Sequence, residues 1–162
     1  MRDIAFELLR RVEQDDSYAN LLLPKLLADA KVDSRDAGFI QELSFGTLRN
    51  RLLYEMIIES ASSRKIDAID QNVLLILLLG SHQLLGMRVP AHAAINESVN
   101  LAKSKAPKSS VGFVNAVLRR VSEASREVWV ERVSVPIDNR DDFLSVVYSH
   151  PSWISNSDVS KQ

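Results

Sequence analysis

The feature that most constrains the fold of this chain is a run of seven consecutive apolar side chains from Val73 to Leu79. Such a run is typical of a segment buried on several sides, either a strand inside a sheet or a helix inside a bundle. The run is rich in leucine and poor in β-branched residues, and Leu84, Leu85 and Met87 follow it. These properties favour a helix over a strand. We therefore predict a central helix with the other elements packed around it.

The rest of the chain carries apolar residues at steps of three and four, the spacing of helices with one buried face. Asp33 or Ser34 can cap the third of these helices, and Gly46 within it indicates a close helix crossing. The 162-residue length and a hydrophobic content of 46% suit a single domain with a sizeable core. The segments with this spacing are residues 4–13, 21–30, 36–60, 91–102, 113–121, 128–133 and 142–148. The sequence thus predicts an all-α fold of about six or seven helices.

Residues 88–120 hold two of these helix patterns, joined by a short basic loop. Pro107 is expected to end the first helix, and Ser109, Ser110 and Gly112 are expected to form the turn. Between Arg64 and Arg120 there are eight basic and three acidic residues, a net charge of +5, whereas the whole chain has a net charge of −1. Residues 1–60 hold eight basic and eleven acidic side chains. Positive charge concentrated in this way favours a surface that binds nucleic acid.

The helical spacing also predicts which polar residues share a face in this basic stretch. On the first helix Asn96, Asn100 and Lys103 are expected together, opposite the apolar seam. On the second helix Asn115 and Arg119 lie one turn apart on the polar edge. Asn115 has two interpretations, which are contact with RNA and a buried hydrogen-bonding role that fixes a neighbouring loop.

The sequence gives little sign of a catalytic centre. It contains no cysteine, which excludes disulfides and a cysteine nucleophile, and it contains no glycine-rich phosphate loop. The three histidines are scattered, so we expect no metal site, and His82 is expected at the edge of the core. Glu97 has no nucleophile beside it and is expected to bond a neighbouring helix end or loop. No signal pattern or membrane-length apolar run is present, so we expect a cytoplasmic protein.

Four segments, in this order, resemble one protein family. They are FGTLRNR at 45–51, PAHAAINESVNLAK at 90–103, GFVNAVLRR at 112–120 and SHPSWI at 149–154. Up to about residue 154 the chain resembles the N-terminal domain of bacterial ribosomal RNA cytosine-5 methyltransferases of the RsmB (Sun or Fmu) kind. That domain is similar to the transcription antitermination factor NusB. The resemblance implies an all-α, NusB-like helical bundle of about seven helices.

The resemblance also implies a domain organisation. Residues 1–135 would form the NusB-like RNA-binding domain, residues 136–154 a helical extension resembling the linker to a methyltransferase domain, and residues 155–162 a disordered tail. In the family, the catalytic domain binds S-adenosylmethionine and uses a cysteine to attack the cytosine ring. This chain has neither that pattern nor a cysteine. We therefore expect neither enzyme activity nor a cofactor in this chain.

The favoured hypothesis is an RNA-binding accessory domain that positions 16S ribosomal RNA for a separate catalytic domain. Its expected partners are ribosomal RNA and the C-terminal methyltransferase domain, with no membrane. Two alternatives stay open: a free-standing NusB-like transcription antitermination factor that binds RNA, and a helical domain that docks onto protein without contacting RNA.

Basic side chains can bind RNA phosphates, and an amide side chain can hydrogen-bond to a sugar or a base. Each cation has an alternative role in a local ion pair, as Arg119 has with Glu123 one turn further on. Trp129 and Trp153 are expected to pack in the fold or to dock against a separate domain rather than to stack on bases. The candidate RNA-binding residues are Arg49, Arg51, Lys103, Lys105, Lys108, Asn115, Arg119 and Arg120.

Overall fold

The computed structural model describes residues 1–15 and 19–134 of the chain. This part is helical and contains no strand, which confirms the all-α fold. The predicted segment at residues 142–148, the tail at 155–162 and Trp153 lie outside the described residues. The helices are α1 (Arg2–Asp15), α2 (Ala19–Ala30), α3 (Ser34–Arg49), α4 (Arg51–Ser62), α5 (Gln71–Leu85), α6 (Ala91–Lys105), α7 (Val111–Ser122) and α8 (Arg126–Ser134), with 3₁₀ turns at Ile66–Ala68 and Lys108–Ser110.

The apolar run lies in α5, and α5 is the centre of the bundle. Every residue from Val73 to Gln83 is buried, and α5 packs against α1, α3, α4, α6 and α7. A fully buried aliphatic side chain stabilises a fold by about 1.5–3 kcal/mol relative to an exposed one, so this one helix supplies much of the hydrophobic stabilisation. The prediction of a central helix is confirmed.

Two aspartates fix where helices begin. The side chain of Asp33 accepts a hydrogen bond from the backbone N–H of Asp36 at 2.9 Å, so the cap predicted for α3 is confirmed. Asp70 does the same for α5, where its carboxylate accepts from the N–H groups of Asn72 and Val73 at 3.0 and 3.2 Å. This cap fixes the start of α5 just before its run of apolar residues.

The long helix predicted over residues 36–60 is wrong, because the structure divides it at Asn50 into α3 and α4. The Asn50 backbone has φ −106° and ψ 16°. Its side-chain Nδ2 donates a 2.9 Å hydrogen bond to the carbonyl of Gly46, which its backbone N–H also reaches. Asparagine side chains compete with the helical backbone in this way and favour helix ends. The apolar periodicity continues across the break, so the sequence pattern does not show where α3 ends.

The turn between α6 and α7 also differs from the prediction. Ser109 and Ser110 lie in the 3₁₀ turn as expected, but Gly112 is the second residue of α7 rather than part of the turn. A Cβ atom added at Gly112 would meet no atom within 4 Å, so its place in the helix demands no glycine. Pro107 follows the end of α6, as the sequence predicted.

A polar chain that runs from the exposed Glu42 to the buried His82 and Tyr54 joins α3, α4 and α5. His82 of α5 is only 2% exposed. Its Nδ1 accepts from the Tyr54 hydroxyl at 2.7 Å, and its Nε2 donates to the Glu42 carboxylate at 2.8 Å. The carboxylate can only accept, which places the ring proton on Nε2. Burial lowers the pKa of His82 below its ordinary 6.5, against the opposing effect of Glu42, and burial raises the pKa of Tyr54. We call these three residues the Glu42–His82–Tyr54 chain.

Two glycines make room for the His82 ring. A Cβ atom at Gly46 would overlap the imidazole and lie 2.6 Å from Glu42 Oε2, and one at Gly86 would lie 2.5 Å from the ring. The close crossing predicted at Gly46 is therefore confirmed. His82 itself lies deeper than the core-edge position expected from the sequence.

Trp129 of α8 packs into the core at 4% exposure, and its Nε1 donates to the carbonyl of Val121 at 2.9 Å. The expectation that this tryptophan packs rather than stacks on a base is confirmed. Among the helices of residues 1–15 and 19–134, none combines the length and apolar content needed to cross a bilayer.

Candidate nucleic-acid interface

The basic stretch folds as a helical hairpin made of α6 and α7. The two helices pack against each other. Ala94 and Ser98 of α6 and Val114 and Leu118 of α7 are buried. His92 in the first turn of α6 and Arg119 in the last turn of α7 line the same groove. The two helices are therefore antiparallel neighbours, and their outer edges border a shared surface.

The surface between the helices is a shallow groove of about 350 Å³, which we call the α6–α7 groove. None of its lining residues is acidic. Each of four other cavities on the described surface contains at least one carboxylate, from Glu59, Asp29, Asp70 or Glu97. The α6–α7 groove is thus the one of these five that suits an anionic ligand. It is lined by His92, Ile95, Asn96, Val99, Asn115 and Arg119.

Lys103 lies on the same side of α6 as the residues that line this groove. With 3.6 residues per turn, positions 92, 96, 99 and 103 follow one another along the same side of α6. Lys103 and Arg119 are exposed, and neither forms an ion pair with another residue of the described ranges. In particular, the possible pair between Arg119 and Glu123 is not formed. Lys108, also exposed, lies in the turn that joins the two helices.

Asn115 and Arg119 share one edge of α7, as the sequence predicted, and both line the groove. Asn115 is partly exposed, and its side chain makes no hydrogen bond within the part of the chain that the structure describes. That geometry does not support the alternative of a buried residue holding a neighbouring loop. The amide is instead open to the groove and available for a hydrogen bond.

The polar face predicted for α6 divides between two surfaces. Asn96 lines the α6–α7 groove, but Asn100 lies on the other edge of α6 in a cleft with Arg2 and Glu97. Glu97 Oε2 lies 3.9 Å from the guanidinium of Arg2 at the start of α1, which agrees with the helix-end role expected for it.

Arg120 lies on the opposite edge of α7 from Asn115. Successive residues of a helix differ by about 100° in direction, so Arg119 and Arg120 border different surfaces. Arg120 follows Phe113 along its edge, and the guanidinium of Arg64 stacks 4.6 Å above the centre of the Phe113 ring. Arg120 is exposed but does not belong to the α6–α7 groove.

Lys105 lies in an acidic setting at the end of α6. It borders a cavity of about 390 Å³ together with Asp3, Glu7 and Asp29 of α1 and α2. Its backbone carbonyl accepts a 2.9 Å hydrogen bond from Asn72 Nδ2. Three carboxylates beside this lysine make its surroundings less attractive to a phosphate than those of Lys103.

The two candidate arginines at the α3–α4 junction have carboxylate partners. The Arg51 guanidinium lies between Glu13 and Glu55, with its Nε 3.0 Å from Glu55 Oε2. Arg49 lies 3.8 Å from Glu42, more loosely and more exposed. Of the eight candidates, the structure therefore brings Asn115 and Arg119 together in the groove. Lys103 lies further along the same side of α6, and Lys108 lies in the turn that follows.

Sequence reasoning did not single out two residues of the groove, His92 and Asn96, as ligand contacts. Asn96 was placed on the correct helix face, so the signal was its spacing from Lys103. His92 gave no such signal, because only the packing of α7 against α6 places it beside Arg119. No group of three His, Asp or Glu side chains in residues 1–15 and 19–134 is arranged to hold a metal ion.

The fold and the groove define an all-α domain whose central helix is surrounded by the others and whose α6–α7 surface is basic. The model of the NusB family matches residues 1–123. The chain belongs to the NusB family.

Three curated relatives extend the match beyond that domain. A Mycobacterium tuberculosis protein named as a methyltransferase is 41% identical over 157 residues, covering 96% of this chain and 34% of the relative. Ribosomal RNA small subunit methyltransferase B of Pseudomonas putida is 34% identical over 127 residues, covering 78% of this chain and 27% of the relative. The Shigella flexneri protein of the same name is 31% identical over 155 residues, covering 95% of this chain and 33% of the relative. The chain thus spans about a third of the length of the curated relatives it matches.

Proposed function

We propose that this chain is an RNA-binding domain and that the α6–α7 groove is its RNA site. The observation that carries the proposal is a groove that Arg119 lines and that has no acidic lining residue. Lys103 lies on the same side of α6 by helical spacing, and no described carboxylate pairs with either cation. RNA presents a dense row of phosphates, and cations of this kind supply the larger part of its binding free energy.

The names of the relatives indicate the wider setting. Because matched proteins of Pseudomonas putida and Shigella flexneri are named small-subunit ribosomal RNA methyltransferases, we propose that this domain positions ribosomal RNA for a methyltransferase domain in the cytoplasm. In this proposal residues 1–135 bind RNA, and residues 136–154 lead towards the catalytic domain. S-adenosylmethionine would bind in that other domain, and no residue of this chain would take part in the methyl transfer.

Not all candidate residues contribute equally in this proposal. Lys103, Asn115 and Arg119 contact RNA directly, with Lys108 meeting the backbone where the strand leaves the hairpin. Arg120 reaches RNA only if the strand continues over α7 to the Phe113 edge. Arg49, Arg51 and Lys105 mainly serve the fold or local charge balance, because each lies beside carboxylates.

The test is a titration of a fluorescent single-stranded fragment of small-subunit ribosomal RNA at several salt concentrations. Wild-type protein is compared with Lys103→Glu/Arg119→Glu. The control is Lys25→Glu/Arg35→Glu, which makes the same charge change at exposed positions of α2 and α3. Three phosphate contacts to a single strand predict a slope of log K on log salt of about −2.

We expect the groove variant to lose most of the affinity and of the salt slope, while the α2–α3 control keeps both. Equal losses in the two variants would mean that only net charge matters, and the groove assignment would be wrong. If wild type does not bind RNA at low salt, the alternative of a protein-docking helical domain takes its place.

A further inference from the structure

The α6–α7 groove has an interior that phosphate binding alone does not explain. Ile95 and Val99 of α6 are partly buried and provide an apolar floor. Asn96 and Asn115 border that floor from opposite helices, and neither side chain is hydrogen-bonded to another residue of the described ranges. Two free amides beside an apolar surface suit a flat ligand with polar edges.

The order of these groups along the groove is also informative. Position 92, which lies beside Arg119, and Lys103 are eleven residues apart on α6, or about 16 Å along the helix axis. Asn96 lies between them. A cation thus lies towards each end, and the amides and apolar floor lie in the middle. This order suits a strand whose base lies in the middle and whose backbone phosphates reach the cations a nucleotide or more to either side.

We propose that the α6–α7 groove holds one unpaired base of a single-stranded RNA, an inference that rests on the proposed function. The face of the base lies on Ile95 and Val99, and its hydrogen-bonding edges meet the side chains of Asn96 and Asn115. Each amide offers both donors and an acceptor, which is what the polar edges of a base require. Lys103 and Arg119 bind backbone phosphates further along the strand in each direction.

A base inside a duplex does not fit this site. The edges that the two asparagines would contact are occupied by the pairing partner, and A-form RNA does not admit side chains to its major groove. The volume of about 350 Å³ lies at the lower end of the range for small-ligand pockets, so it suits one base rather than a helix of RNA.

The experiment compares two fluorescent oligomers of equal length and charge, a uridine decamer and a decamer of stable abasic residues. Both are titrated with wild-type protein over a range of salt concentrations. We expect the abasic decamer to bind about tenfold more weakly, as the loss of two hydrogen bonds predicts, with an unchanged salt slope. A uridine decamer annealed to its complement should also bind more weakly than the single strand.

Two variants locate the base. Asn96→Ala/Asn115→Ala should bind the uridine decamer as weakly as the abasic one and should not distinguish between them. Asn100→Ala, on the other edge of α6, should behave as wild type.

Equal affinity of wild type for the two decamers would overturn the inference and leave the RNA-binding proposal standing. Base dependence that persists in the double variant would also overturn the inference, because the base would then bind elsewhere. If neither decamer binds even at low salt, the proposed function fails together with the inference.

Discussion

The Glu42–His82–Tyr54 chain and the α6–α7 groove use similar polar side chains in opposite ways. In the first region every polar group has a partner from another helix, at 2.7 and 2.8 Å, around a histidine that is 2% exposed. In the second, Asn96, Asn115 and Lys103 lie at the surface without partners among the described residues. Paired buried groups hold helices together, whereas unpaired surface groups are available for a ligand. The difference separates polar residues of the fold from candidate residues of function.

The largest expected effect comes from breaking the first region at Gly46. Gly46→Ala places a Cβ atom in overlap with Nε2 and Cε1 of His82, so α3 and α5 must separate. We expect a loss of about 3 kcal/mol in the free energy of unfolding, measured by urea denaturation. Gly38→Ala is the matched control, because it lies in the same helix with no atom within 4 Å of the added Cβ. The control should be neutral or more stable by up to about 1 kcal/mol; similar destabilisation in both variants would contradict the crossing.

A smaller effect is expected from Tyr54→Phe, which removes one hydrogen bond of the same region. The Nδ1 atom of His82 is then buried without a donor, which should cost about 1–3 kcal/mol of unfolding free energy. Ser122→Ala removes an exposed hydroxyl that donates to the Arg119 carbonyl and should change stability by less than about 0.5 kcal/mol. If urea denaturation gives the same midpoint shift for both, the buried chain does not stabilise the fold.

The pH dependence of the free energy of unfolding tests the role of His82 without removing a contact. The folded pKa of His82 is lowered below 6.5, mainly by burial, so the unfolded state binds a proton first as the pH falls. Stability should therefore decrease as the pH is lowered below about 6.5 and on towards the folded pKa. The charged groups that act on the ring are Glu42, which favours its protonation, and Arg49 and Arg126, which oppose it.

Denaturation curves between pH 7.5 and 5.5 measure this decrease. His82→Asn should flatten it, whereas His92→Gln, at an exposed position, should leave it unchanged. A slope that survives in His82→Asn would assign the effect to another group. The pH range excludes Glu7, whose carboxylate has a pKa of about 2 because of Arg10 and Arg11 and which titrates below that window.

The smallest expected effect belongs to the second region. Asn96→Ala/Asn115→Ala should change the free energy of unfolding by less than about 0.5 kcal/mol, because neither amide bonds to a described residue. The same denaturation assay measures it. A loss of more than about 1 kcal/mol would show that these asparagines hold the fold, and the contrast between the two regions would disappear.

The helices were predictable because their apolar periodicity is strong, and the central position of α5 followed from seven adjacent apolar residues. The break at Asn50 was not predictable. The apolar periodicity continues through it, and α3 ends where the Asn50 side chain donates a hydrogen bond to the Gly46 carbonyl. The Glu42–His82–Tyr54 chain joins positions 28 and 40 residues apart, and only tertiary packing brings them together. Gly46 alone gave a sign of it.

The basic surface was predictable as a region but not residue by residue. Counting charges along the chain placed Arg119 and Arg120 together, although helical geometry directs them to different edges of α7. It also grouped Lys105 with Lys103, while the carboxylates around Lys105 come from α1 and α2. Those carboxylates are far from Lys105 in the sequence and become its neighbours only when the helices pack.

The most direct test of the α6–α7 groove as the RNA site is an NMR titration that follows asparagine side-chain amides. The account predicts that adding single-stranded ribosomal RNA shifts the Nδ2 resonances of Asn96 and Asn115. Those of Asn50 and Asn72, which are bonded to the carbonyls of Gly46 and Lys105, should stay unchanged. RNA that binds while Asn96 and Asn115 remain unshifted would contradict the account.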